Sequence, residues 1–94
     1  MKYFDWNDEK NELLKQVRGL SFEEVVLAIE TGGLLDRLRH PNSGKYPHQI
    51  VFYVEVNHYV YAVPFVEDDQ KIFLKTIIPD RKATRKYLKG DSDE

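Results

Sequence analysis

The side chains of this chain best suited to chemistry are cations, and most stand near its end. Between positions 71 and 89 lie seven basic residues (Lys71, Lys75, Arg81, Lys82, Arg85, Lys86 and Lys89) and one acid, Asp80, in a protein of 94 residues whose formal charge is -2. Positive charge segregated in a mildly acidic protein points to an anionic partner, whether RNA or DNA phosphate or an acidic protein segment. The plainer alternative is a solvated helix face. Arg37 and Arg39 stand two apart, a spacing that puts both side chains on one side of a strand. Should the fold carry them beside Lys75 and Arg81, four cations meet over one sheet edge and can hold a phosphate. Three histidines, His40, His48 and His58, can move protons near neutral pH, and His40 leads because it follows Arg37 and Arg39. Each is at or near a turn, none has metal-ligand spacing, and without cysteine there is neither a disulfide nor a thiolate site, so no cofactor is expected. Glu55, alone in an apolar stretch, is either a base or a solvent-facing sheet residue. Tyr53, Tyr59 and Tyr61 can stack RNA bases or simply pack across strands.

The elements that must position these groups are readable in part. Residues 7–18 open on a capping Asn7 with Asp8 and Glu9 in the first turn, and Gly19 ends them; Leu13, Leu14 and Val17 fall on one side of this helix. A second helix starts at the capping box Ser21-Phe22-Glu23-Glu24, with Leu20 and Val25 placed as a hydrophobic staple. Its stripe of Phe22, Val25, Val26 and Ile29 runs until Gly32-Gly33. Residues 34–40 alternate and read as a strand, followed by a polar loop over 41–47. Strands are predicted at 50–56, 59–65 and from 65 to 72, joined at Asn57-His58 and at 67–70, and the run 71–78 is β-like. Period two puts Ile50, Phe52, Val54 and Val56 on one face, and Val51, Tyr53 and Glu55 on the other. The last helix takes Asp80 as cap, with Ala83, Tyr87 and Leu88 inward and Arg81, Lys82, Arg85 and Lys86 outward.

This pattern predicts an α+β domain over residues 1–90: two N-terminal helices, a three- to four-stranded antiparallel sheet and a C-terminal basic helix. The acidic end, 91–94, is expected to fray. With 41% hydrophobic and 13% aromatic residues the chain can build a core without staples. No run is long enough for a membrane span, and the first residues lack the apolar core of a signal peptide, so a cytoplasmic protein with no membrane partner is expected. Trp6 reads as an anchor for the N-terminal segment.

Two parts of the chain resemble the BrnT family, the toxin half of a bacterial type II toxin–antitoxin pair. At the front the resemblance lies in Phe4-Asp5-Trp6, Lys10 and Gly19-Leu20-Ser21-Phe22-Glu23-Glu24; at the back it lies in Ile77-Ile78, Arg81, Ala83 and a basic helix ending near Tyr87. The resemblance implies a RelE-like ribonuclease fold, RNA cleavage that arrests translation, and neutralisation by a ribbon-helix-helix antitoxin through which operator DNA is bound. The family commonly has Asn five residues before the Gly and Lys-His immediately before it; here these are Leu14 and Val17-Arg18, so that histidine is absent. Its closing Ile-Ser-Ala-Arg is here Ile78-Pro79-Asp80-Arg81, and Arg81 is the firmest carry-over.

Metal-independent RNA cleavage needs a base for the 2′-hydroxyl, positive charge on the developing phosphorane and an acid for the leaving oxygen. Arg81, Arg39, His40 and Lys75 are the candidate catalytic residues, and Arg37, Lys82, Arg85 and Lys86 the candidate RNA-binding ones. The helix N-terminus beside Arg81 would add favourable amides. A second reading is a degenerate member that keeps antitoxin and joint operator binding without chemistry, and a third is an unrelated nucleic-acid adaptor of the same architecture.

Overall fold

The first two helices form where their caps predict. The computed structural model describes residues 2–39, 42, 44–45 and 49–89. Helix α1 spans Asp8–Arg18; the Asn7 side chain accepts a hydrogen bond from the Lys10 N–H, and Gly19 closes the helix at φ +66°. Helix α2 spans Phe22–Glu30, and the Ser21 hydroxyl accepts from the Glu24 N–H at 3.2 Å. The staple residues Leu20 and Val25 are both fully buried. Before α1 runs a short strand, β1 (Tyr3–Asp5), after which Trp6 stacks on Phe22 with ring centroids 5.7 Å apart, the anchor the sequence implies.

The sheet is larger than the sequence indicates. Strands β2 (Leu34–Arg39), β3 (Ile50–Val56), β4 (Tyr59–Glu67), β5 (Lys71–Leu74) and β6 (Ile78–Pro79) join β1 in a six-stranded sheet of order β1-β5-β4-β3-β2, with β6 on β4. Two corrections follow to the expected three- or four-stranded antiparallel sheet. First, β1 pairs with β5 in parallel, Phe4 opposite Ile72, a long-range pairing that carries no local signal. Second, the run 71–78 is broken in two: β5 pairs with one end of β4, at Phe65 to Glu67, and β6 with the other, at Tyr61 and Ala62. Pro79 has no N–H to give and is tolerated in this two-residue edge piece. The class is α+β, with three helices among the described residues.

The hairpin between β3 and β4 is tight because Asn57 and His58 both take positive φ, 54° and 65°, the backbone of a type I′ turn. Gly33 admits the close approach of α2 to β3: its N–H donates to Ala28 at 2.7 Å and its C=O accepts from Glu55 at 2.8 Å. A Cβ there would stand 2.9 Å from both the Ala28 and the Glu55 carbonyl oxygens.

The core lies between the sheet and helices α1 and α2. Phe52, Val54 and Val56 of β3, Val63 and Phe65 of β4 and Leu74 of β5 close over Leu14, Leu20, Phe22 and Val25. Period two on β3 holds as read, whereas on β2 a bulge between Leu34 and Asp36 breaks the expected alternation. Leu13 and Val17 correct the reading of α1: they are 49% and 63% exposed, and Leu14 alone of the three is buried. The inward position beside it belongs to Asn11, 3% exposed, which accepts from the Phe22 N–H at 2.8 Å and donates to Glu23 at 2.8 Å. One amide therefore fastens α1 to the start of α2.

No helix among the described residues is long and apolar enough to cross a membrane. The expected frayed end, 91–94, and most of the 41–47 loop fall outside the described residues. Asn11→Ala leaves the buried Phe22 N–H without its partner and is expected to cost about 1–3 kcal/mol of unfolding free energy. Urea denaturation measures it; a loss below about 0.5 kcal/mol would show that the amide is not the fastening point.

Candidate functional site

The face of the sheet opposite α1 and α2 is where the cations of the C-terminal segment gather. Helix α3 spans Arg81–Leu88, and the Asp80 carboxylate caps it by accepting from the Ala83 N–H at 2.9 Å. The helix is pinned to β4 through the backbone of Val60. The Val60 N–H donates to the Thr84 hydroxyl at 2.9 Å, that hydroxyl donates to the Asp80 C=O at 2.8 Å, and the Asp80 N–H donates to the Val60 C=O at 3.0 Å. Thr84 is 5% exposed and Ala83 6%, so this turn is buried against the sheet.

Beyond the pin, α3 and the β2–β3 ribbon enclose a groove of about 430 Å³. Its lining is part aromatic and part cationic, with Tyr53, Tyr87 and Leu38 beside Lys82, Arg85 and Lys86. Tyr53 and Tyr87 meet with ring centroids 6.1 Å apart at a tilt of 34°. The Tyr87 hydroxyl donates to Asp36 at 2.7 Å, and the Lys86 ammonium stands 5.1 Å over the Tyr87 ring. Burial, then the hydrogen bond to Asp36, pushes the Tyr87 phenol up to about 12. The bond from Tyr87 and the backbone N–H of Arg37 hold Asp36 below the usual carboxylate value. Tyr53 is raised by burial first, then by Asp80 and Asp36. Both phenols are therefore protonated at neutral pH and can donate hydrogen bonds but not act as bases.

The structure assembles some of the anticipated residues and separates others. Lys82, Arg85 and Lys86 line the groove together, and Arg81, exposed, occupies the first helical position next to Asp80 and Lys82. Arg37 and Arg39 do not join them. In an antiparallel pair, directly opposed residues share a face, and these arginines oppose Phe52 and Ile50 on the side of α1 and α2. The anticipated convergence of Arg37 and Arg39 with the cations of α3 therefore fails, because the sheet lies between them. Arg37 is also engaged: its guanidinium bonds Glu67, which Lys2 bonds as well, and it stands 5.5 Å over the Phe65 ring. Lys75 follows β5, its ammonium 5.6 Å over Phe73, at the end of β4 away from the Val60 pin. The α3 N-terminus is not the open phosphate site anticipated beside Arg81, since the Asp80 carboxylate already occupies the Ala83 amide.

His40 and His48 lie outside the described residues. His58 is 97% exposed on its turn and stands 3.8 Å from Glu55. That pair lines a separate cleft of about 420 Å³ with Gly32, Gly33 and Asn57, away from the basic groove. Tyr59 and Tyr61 oppose Val56 and Val54 on the core side, so of the three candidate stacking tyrosines Tyr53 alone faces α3. The bond between Asp36 and Tyr87, 51 positions apart, carried no sequence signal. Away from the groove, Arg18 donates from Nε to the Ile77 carbonyl at 2.9 Å. Among the described residues no group of three or more His, Asp or Glu side chains is arranged to hold a metal ion. Comparison of the chain with protein-family models, with curated proteins and with solved structures finds no match.

The Asp36–Tyr87 bond has a pH signature with two limits. A phenol raised above its ordinary 10.0 adds stability that is complete below that value and is lost as pH rises through about 12. The depressed Asp36 adds stability present above its ordinary 3.8 and lost as pH falls through its lowered value. Asp36→Ala should bring the Tyr87 titration, followed by ultraviolet absorbance, part of the way down toward 10.0; a titration still centred near 12 would show that Asp36 contributes nothing.

Proposed function

We propose that this chain is the toxin half of a bacterial type II toxin–antitoxin pair, acting on RNA in the cytoplasm to arrest translation. The observation that carries the reading is the meeting of Lys82, Arg85 and Lys86 with Tyr53 and Tyr87 in one groove on a helix pinned to the sheet. Cations supply the sequence-independent attraction to phosphate, and aromatic rings supply faces on which unpaired bases stack, the combination found in proteins that hold single strands. Support of another kind comes from the BrnT-like residues. Trp6 and Phe22, both in the front part of that resemblance, pack on each other. The order of two helices, the antiparallel run β2 to β5 and a final helix fits a RelE-like arrangement, with β1 added in parallel beside β5. In this reading a ribbon-helix-helix antitoxin neutralises the chain by covering the basic face of α3, and operator DNA is bound only through that partner.

Cleavage and binding are separate proposals. As a metal-independent ribonuclease, the chain would place Arg81 on the scissile phosphate and draw its proton carrier from His40. The second reading, RNA and antitoxin binding without cleavage, has its own support: among the described residues no histidine lines the groove, and both of its phenols are raised.

Induction of the chain alone in a bacterial host tests the proposal. Wild type should stop growth and translation within minutes, and Arg81→Ala, at equal protein level and unchanged thermal midpoint, should relieve the arrest. Purified wild-type protein that cleaves RNA without added metal would favour the enzyme. Arrest without cleavage would favour the binding module, and unimpeded growth at full expression would contradict the toxin reading.

A further inference from the structure

The groove under α3 is built for more than charge. Tyr87 is locked in place, its hydroxyl held by Asp36 at 2.7 Å and one side of its ring under the Lys86 ammonium. Tyr53 is not: its ring leans against Tyr87, but its hydroxyl makes no hydrogen bond among the described residues, although it lines the groove. The Tyr53 phenol, half-buried in a wall of Leu38 and Ala83, therefore offers a ring and a donor to an incoming group. The two rings, 6.1 Å apart and tilted by 34°, are too close to admit a third ring between them. An incoming ring must stack on the outer face of Tyr53. At about 430 Å³ the groove is in the range of small-ligand sites and far too small for a helix or a duplex.

Its cations are spaced for a chain of phosphates. Lys82, Arg85 and Lys86 stand at i, i+3 and i+4, one face of one helical turn about 5.4 Å long. Neither Lys82 nor Arg85 makes an ion pair among the described residues, in contrast to Arg37, held by Glu67, and Lys71, held by Asp5 at 3.3 Å. The free positive charge of this face therefore sits at the rim of the aromatic groove.

We propose that this groove is a nucleotide subsite: it takes one unstacked base of single-stranded RNA against the outer face of Tyr53, with the Tyr53 hydroxyl on the neighbouring sugar-phosphate and the flanking phosphates on Lys82, Arg85 and Lys86. The proposal rests on the RNA-directed reading above and adds to it that a base, and not the backbone alone, is held. A base in a duplex presents no free face, so double-stranded RNA is excluded from the subsite.

Fluorescence anisotropy with labelled oligoadenylate and oligouridylate of about ten nucleotides, the matching abasic backbone, and an oligoglutamate of equal charge tests it. Wild type should bind the base-bearing strands more tightly than the abasic one. Tyr53→Ala should weaken base-bearing RNA by about five- to a hundredfold and the abasic strand far less. Tyr53→Phe, which keeps the ring and the packing, should retain stacking and lose only the smaller contribution of the hydroxyl, so a folding defect and a lost base contact are told apart. Equal affinity for base-bearing and abasic strands, with Tyr53→Ala without effect on either, would overturn the subsite while leaving RNA binding intact. Oligoglutamate bound as tightly as RNA would overturn it in favour of an acidic protein partner, and no binding of any strand would overturn the RNA reading as well.

Discussion

The backbone of Val60 is the point on which the proposed site depends. Its N–H and C=O are both taken by the start of α3, one through the Thr84 hydroxyl and one by the Asp80 amide. Thr84 in turn donates to the Asp80 carbonyl, so the first turn of the helix, its cap and the strand form one closed set of hydrogen bonds. A helix of eight residues is too short to stand alone in water. Burial of Ala83 and Thr84 and this set of bonds hold it, and they also fix which side of the helix faces outward. With that turn seated, Tyr87 reaches Asp36 on β2, and Lys82, Arg85 and Lys86 stand over Tyr53.

Strand β4 makes the arrangement possible by sharing one of its edges between two partners. β5 covers Phe65 to Glu67 and β6 covers Tyr61 and Ala62, and the gap between them lets the chain change direction and arrive at Val60 from outside. The sheet then separates the arginines of β2 from the cations of α3. The α1 and α2 side carries the core, and there Arg37 is neutralised by Glu67. The Glu67 carboxyl, bonded first by Lys2 and then by Arg37, is held below its usual value, the behaviour of a carboxylate bonded to cations. On the opposite side, among the described residues, Lys82 and Arg85 make no ion pair.

Local chemistry was legible where the signal was local. Asn7, Ser21 and Asp80 announced three helix starts, Gly19 one helix end, and Ile50, Phe52, Val54 and Val56 the core face of β3. Illegible were the contacts that only the fold creates. The parallel pairing of β1 with β5 joins residues about seventy positions apart, and the β2 bulge shifts Leu34 relative to Asp36 by one face. Of the site, the three outward cations of α3 and Tyr53 could be named from composition and period, but their partner Tyr87 read only as an inward residue and Asp36 not at all. Arg37 and Arg39 were misplaced for a physical reason: their spacing fixed that they share a face, and nothing in it fixed which face.

In the proposed site phosphate is held by the cations of α3. The most direct test is the salt dependence of wild-type affinity for single-stranded RNA. Three phosphate contacts, at Lys82, Arg85 and Lys86, predict a slope of log K against log salt near −2, from about −0.7 per contact on a single strand. A slope near zero would contradict the account, because it would mean that binding, if present, is apolar and lies away from this face.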